Sequence, residues 1–192
     1  MFTALLDTCV LWPSLQRDFL LSLAIEGMYR PVWSAAILAE LEQHETRKLI
    51  YRGEDEDTAA SRAHRLIERM RSAFDDAEIQ GWEPLDGTYD LPDPDDEHVV
   101  AAAFVAGAGA IVTHNIKDFP QNNIPKGITV LLPAEFAANT VALDPFRALD
   151  VITSIVERYG KKGPMVTTDG VLDILADRYK MIRAVELIRQ AY

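Results

Sequence analysis

Three aspartates, Asp93, Asp95 and Asp96, crowd the head of an apolar segment, VVAAAFVAGA, and Asp118 lies just past the short hydrophobic run AIVT that follows it. Carboxylates that converge repel one another unless a cation binds among them. The chemistry such a cluster suits is the binding of a hard divalent ion through oxygen ligands. Helix capping is the competing account. Asp93 fits the N-cap, Pro94 the first helical position and Asp96 the third, as in a capping box, and acids there complement the helix dipole. Capping does not explain three acids ahead of so apolar a helix, however. That helix must be nearly buried, so its first turn does not lie far out in solvent.

Other carboxylates are candidates to join the cluster if the elements carrying them end at the same place. Phe2 to Leu6 is a short apolar run ending in Asp7 and Thr8. It predicts a buried parallel strand with an acid at its carboxyl end, where open α/β sheets bind ligands; an N-cap role for Asp7 stays open. Cys9 has no paired histidine and is expected to be a small buried residue. Helical spacing of Leu15, Phe19, Leu20 and Leu23 between Pro13 and Gly27 predicts a helix. Arg30 to Trp33 predicts a second strand, and Ser34 caps the helix SAAILAELEQHETRKLI. Within it Glu40 shares a face with Ala36, Ile37 and His44. A carboxylate on that stripe needs a partner or a metal, unless the helix turns it into solvent.

Tyr51 to Ala73 is highly charged and predicts a helix with Ala63, Leu66, Ile67 and Met70 on one face. Its arginines, Arg62, Arg65, Arg69 and Arg71, balance the acids at 54–57. Arg47, Lys48 and Arg52 just ahead of it are candidates for a substrate edge. Ala77 to Ile79, Ala110 to Thr113 and Gly127 to Leu132 complete the strand pattern. Thr113, Asn115, Lys117 and Asp118 occupy the loop after the fourth strand, where Asn115 suits a hydrogen bond or a bound water and Lys117 a phosphate. Alternation of strand and helix through residue 138 predicts a three-layer α/β/α domain with a short parallel sheet. Residues 139–192 show only helical spacing: a helix from Asp144–Pro145 to Tyr159, a GKKGP loop, a helix capped by Thr168, and a last helix with Ala184, Leu187 and Ile188. They are expected to form a helical annex.

Composition narrows the function. With 48% hydrophobic residues in 192, the chain buries a full core. A single cysteine excludes an internal disulfide. With no signal-like N-terminus and no apolar run of ~18 residues, a cytoplasmic protein with no membrane partner is expected. A net charge of −11 argues against broad binding to phosphates through a basic face. It leaves room for a nucleic-acid substrate met through bound cations. An aspartyl-phosphate hydrolase would need an aspartate where Cys9 stands. A zinc site would need paired histidines, and His44, His64, His98 and His114 lack such spacing; His98 on the apolar helix and His114 after the next strand are placed where they could line the site, with solvated or capping roles the favoured expectation.

In LLDTCVL, S-x5-E-L from Ser34 to Leu41, DPDDEHVVAAA and IVTHNIKDF, the chain resembles the PIN-domain ribonucleases, in particular VapC-type toxins of toxin–antitoxin pairs. The resemblance spans residues 1–138, and the helical tail is similar to an extension found in some such toxins. It implies an acidic catalytic site of Asp7, Glu40, Asp96 and Asp118, with Asp7, Asp93, Asp96 and Asp118 as metal ligands and Thr8, Thr113, Asn115 and Lys117 in support. It implies one or two Mg²⁺ or Mn²⁺ ions activating a water for in-line attack on an RNA phosphate. It further implies a tRNA or ribosomal RNA substrate, a homodimer and a cognate antitoxin covering the acids with a basic or aromatic segment. Many relatives have aspartate where Asn115 stands, which leaves open the number of metals. A catalytically idle PIN-fold module that binds RNA or protein is the alternative.

Overall fold

The apolar run near the N-terminus becomes the middle strand of a five-stranded parallel sheet. In a computed structural model, described over residues 1–160 and 167–192, β1 (Thr3–Leu6) lies between β2 (Arg30–Ser34) and β4 (Ala110–Val112). The short strands β3 (Glu78–Ile79) and β5 (Thr129–Leu131) form the edges, giving the order β3-β2-β1-β4-β5. All pairings are parallel, with Leu5 opposite Val32 on one side and Ile111 on the other. Leu5, Leu6, Val32, Trp33, Ile111 and Val112 are fully buried. Burial on both faces is what helices covering a parallel sheet produce, and the strands are accordingly continuous apolar runs.

Connections from β1 pass to β2 on one side, while β4 sits on the other. The crevice between the carboxyl ends of β1 and β4 is therefore the point where strand order reverses. The helices that feed it are α1 (Thr8–Leu11), α2 (Ser14–Ile25), α3 (Ala35–Tyr51), α4 (Glu56–Ala73) and α5 (Glu97–Val105). Ser34 Oγ accepts from the Ile37 amide and Asp55 from the Thr58 amide, so α3 and α4 start where their capping residues dictate. Helix α5 stops in a Schellman turn. Ala108 N donates to Ala103 O and Gly107 N to Phe104 O, with Gly107 at φ +61°, a conformation that costs glycine little. This turn swings the chain directly into β4.

The tail is helical as expected: α6 (Pro133–Val141), α7 (Pro145–Gly160), α8 (Thr168–Asp177) and α9 (Ile182–Ala191). Helix α6 runs unbroken across residue 138, and α7 packs on α2 while α9 packs on α6. Buried Ile152, Ile155, Leu172 and Ile188 belong to the same apolar core as the sheet. The cap of α8 is Thr167, not Thr168: its hydroxyl accepts from Gly170 N. Most of the expected GKKGP loop, residues 161–164, lies outside the described residues. Among the described residues, no helix is long and apolar enough to cross a membrane.

Candidate acidic active site

Because Asp7 directly follows β1 and Thr113 directly follows β4, the sheet brings together two side chains from distant parts of the chain. Asp7 N donates to Val112 O at 3.1 Å, continuing the ladder by one residue. Thr113 Oγ1 then donates to Asp7 Oδ2 at 2.6 Å, and Cys9 Sγ reaches the same oxygen at 3.0 Å. The loop after β4 organises both donors. Asn115 N donates to Thr113 Oγ1 at 3.0 Å, and His114 N to Cys9 Sγ at 3.2 Å. Each donor is itself polarised by a backbone N–H, an arrangement that strengthens the next bond. Asp7 occupies the N-cap position of α1, but its side chain makes no capping bond. Its carboxylate is turned to the crevice.

The sequence suggested a Cys9 that merely fills buried space; in the structure it donates to Asp7. Its thiol is half-buried, and burial, reinforced by the charge of Asp7, pushes its pKa up to about 12. It stays protonated and serves as a donor, not a nucleophile.

Glu40 is fixed from two sides. Thr8 Oγ1 donates to Oε2 at 2.6 Å, and His98 Nε2 stands 3.1 Å from Oε1. Burial on its own would raise the Glu40 pKa. The bonds from His98 and Thr8, with the charges of His98 and His44, overcome that and hold it below the ordinary value. For His98 burial pulls the pKa down, but Glu40 and the charges of Asp86 and Asp7 raise it above the ordinary value. The expectation that His98 is solvated or capping is therefore corrected: it is buried on α5, and only a partner on α3, which periodicity cannot reveal, places it there.

Asp96 ends a 3-10 turn, Pro94–Asp96, at the entry to α5. Asp93 caps this turn by accepting from Asp95 N at 3.0 Å, as its position predicts. Asp96 makes no capping bond, so the capping-box account fails for it. Its Oδ2 is buried without a hydrogen-bond partner among the described residues. Burial first, then the charges of Asp7, Asp93 and Asp118, push its pKa from 3.8 to about 6. Asp95 is exposed and contributes nothing resolved to that shift.

Asp96 thus feels the charges of Asp7, Asp93 and Asp118, the last on the 3-10 turn Ile116–Asp118, and Glu40 joins them through His98, which feels both Glu40 and Asp7. Asn115 acts through its backbone, and Lys117 is exposed. Among the described residues no three His, Cys, Asp or Glu side chains close into a ready-made metal cage. The fit to a hard cation rests instead on an all-carboxylate donor set and on the unsatisfied oxygen of Asp96, whose charge is disfavoured first by burial and then by the neighbouring aspartates, a cost that a cation would offset. Glu97, in the same motif, was not anticipated from sequence and has a different task. It is buried, accepting from Tyr89 N and Leu91 N at 2.7 Å each, and so pins the loop ahead of the aspartates. Standing directly behind Asp95 and Asp96 in DPDDEH, it carries no signal in the sequence that sets it apart from them.

A family model described as PIN domain matches residues 3–117 of the chain. That span holds Asp7, Glu40, Asp93 and Asp96 and ends one residue before Asp118. Comparisons with curated proteins and with solved structures return no match.

Proposed function

Because the chain belongs to the PIN-domain family, we propose that it is a metal-dependent endoribonuclease, acting in the cytoplasm as the toxin of a toxin–antitoxin pair. PIN domains are typically nucleases and generally use divalent metal ions. The observation that carries the reading for this chain is Asp96, a carboxylate with an unpartnered buried oxygen that feels three other aspartates. Asp7, Asp93, Asp96 and Asp118 would hold Mg²⁺ or Mn²⁺, which supplies a Lewis acid for the phosphate and an acidified water. The protein's part is to keep the carboxylates ionised and aimed. Thr113 and Cys9 hold Asp7 by one oxygen, and Thr8 and His98 keep Glu40 charged at neutral pH.

Residues 1–138 would carry the nuclease chemistry and the helical extension 139–192 would support it. The toxin role rests on the motif resemblance. A charge of −11 suits an antitoxin with a basic segment laid over the acids, and a homodimer completes this reading. The test is cleavage of total cellular RNA by the purified, antitoxin-free chain in Mg²⁺, Mn²⁺ or EDTA, with fragment ends mapped. Metal-dependent cuts at a few sites, absent in Asp7→Asn, are expected. A folded chain that cuts nothing would instead be an idle RNA- or protein-binding module.

A further inference from the structure

Beside the acidic crevice lies a groove of about 1270 Å³ with the opposite electrostatic character. Its walls come from the end of α3, the α1–α2 junction, the start of α6 and the tail helices. Arg47, Lys48 and Arg52 line it at the end of α3, and Arg178 and Lys180 line it just past α8. The chain has 30 acidic residues, yet none is among those lining this groove. Such segregation in a protein of charge −11 is not what random placement of solvated charges produces.

Aromatic rings alternate with these cations. Tyr51 is 93% exposed and Trp12 42% exposed, and Tyr159 and Tyr179 also line the groove. Lys48 Nζ sits 5.9 Å from the Trp12 ring centroid and 3.3 Å from Ser14 Oγ, and the Arg178 guanidinium is 5.6 Å from the Tyr179 ring centroid. The cations are close enough to feel one another: burial lowers the Lys48 pKa, and Arg17 and Arg52 add to that against the pull of Glu45. Cations that track a backbone and exposed rings that stack bases are the two components of a single-strand binding surface.

Two residues that line the groove are neighbours of the acidic site. His114 lines it and directly follows Thr113, the donor to Asp7. His44 lines it one helical turn beyond Glu40, with its ring 6.2 Å from that of Trp12, and Glu40 feels its charge. A strand held in the groove would therefore reach the carboxylates.

We propose that this groove binds the single-stranded RNA flanking the scissile phosphate, and that the tail helices are there to complete it; the inference rests on the nuclease reading above. Arg47 at the end of α3 and Arg178 just past α8 bind phosphates, while Tyr51 and Trp12 stack bases. A strand so held would enter the acidic crevice past His114 and His44.

The test is binding of a short fluorescently labelled single-stranded RNA by the full chain in EDTA, across a salt series. The Arg47→Glu/Arg178→Glu pair should weaken binding by roughly tenfold or more and reduce the steepness of log K against log salt by about 1.4, for two lost phosphate contacts. Tyr51→Ala should weaken it roughly tenfold with the salt slope unchanged. Arg69→Glu, exposed on α4 outside the groove, should bind as the parent does. Equal affinity of the parent and both groove variants would overturn the proposal and leave a face for a protein partner. Cleavage in Mn²⁺, run alongside, separates the two readings. A chain that cleaves but ignores the groove variants sinks the groove alone. A chain that binds through the groove but cleaves nothing sinks the nuclease and keeps the groove.

Discussion

Thr113 Oγ1 donates to Asp7 Oδ2 at 2.6 Å, a bond between residues 106 positions apart that exists only because β1 and β4 are neighbours in register. It ties the aim of the central carboxylate to the loop after β4. Thr113→Val keeps the shape and removes the donor, leaving Cys9 as the remaining side-chain donor to that oxygen. Loss of a group that orients a ligating carboxylate typically costs ~10–100-fold in metal affinity or activity. Thr113→Val should fall in that range and Thr113→Ser should recover most of it, measured as Mn²⁺ affinity by calorimetry and as kcat/KM on RNA.

Asp96 should oppose function and stability. Its folded pKa of about 6 exceeds its ordinary 3.8, so ionisation costs the native state more than the unfolded one. The cost is absent below pH ~3.8, grows as pH rises through the interval to ~6 and is constant above it. Solvent reaches part of this carboxylate, which screens the effect to about 1–2 kcal/mol. Asp96→Asn should therefore be more stable than the parent at pH 7.5 in EDTA and equal to it near pH 3.5, by denaturant unfolding. The same variant should lose ~10²-fold or more in cleavage. A variant that unfolds at pH 7.5 would return Asp96 to a purely structural role.

The fold was legible because the three central strands are bare apolar runs that stop at a polar residue: LL before Asp7, PVW before Ser34, AIV before Thr113. Asp7 was marked as a candidate for the same reason, Asp96 and Asp118 because they frame an apolar helix and strand, and Glu40 from the helical face it shares with Ile37. What surrounds them was not. Cys9, His98 and Glu97 take their roles from atoms on other elements, namely Asp7 across a turn, Glu40 on α3, and the amides of Tyr89 and Leu91. Hydrophobic period marks which residues are inside but not which polar partner they meet. The one-residue error at the α8 cap is of another kind, since Thr167 and Thr168 are chemically identical and only the Gly170 amide distinguishes them.

The Glu40–His98 pair gives a second pH signature. His98 has a raised pKa, so its contribution is full below its ordinary 6.5 and is lost as pH rises through the folded value. Glu40 has a lowered pKa, so its contribution is present above its ordinary 4.5 and lost as pH falls through the folded value. The two overlap between those ordinary values. His98→Gln retains a donor for Glu40 without the charge. The stability gap between parent and variant in EDTA should be widest between about pH 4.5 and 6.5 and shrink on both sides. A gap independent of pH would mean that His98 contributes packing against Trp82 alone.

The tail helices share one apolar core with the sheet, and this predicts how they unfold. Ile152 on α7 is fully buried, and truncating it to alanine should cost about 2–5 kcal/mol. At roughly 2–4 °C per kcal/mol for a chain of this size, the melting temperature falls visibly. All three tryptophans lie ahead of residue 138: Trp33 and Trp82 are buried and report on the sheet domain, while Trp12 lines the groove that the tail helices help to wall. If α7 packed on α2 makes the chain one cooperative unit, Ile152→Ala should shift tryptophan fluorescence and far-UV circular dichroism melts together. A tail that folded as its own unit would lose helical signal early while the tryptophan transition stayed in place. Arg158 sharpens the expectation, because it reaches from α7 to Asp18 at 2.8 Å and Ser22 at 2.9 Å on α2. These bonds are partly exposed and contribute at most ~1 kcal/mol, so Arg158→Ala should lower both transitions slightly and in step.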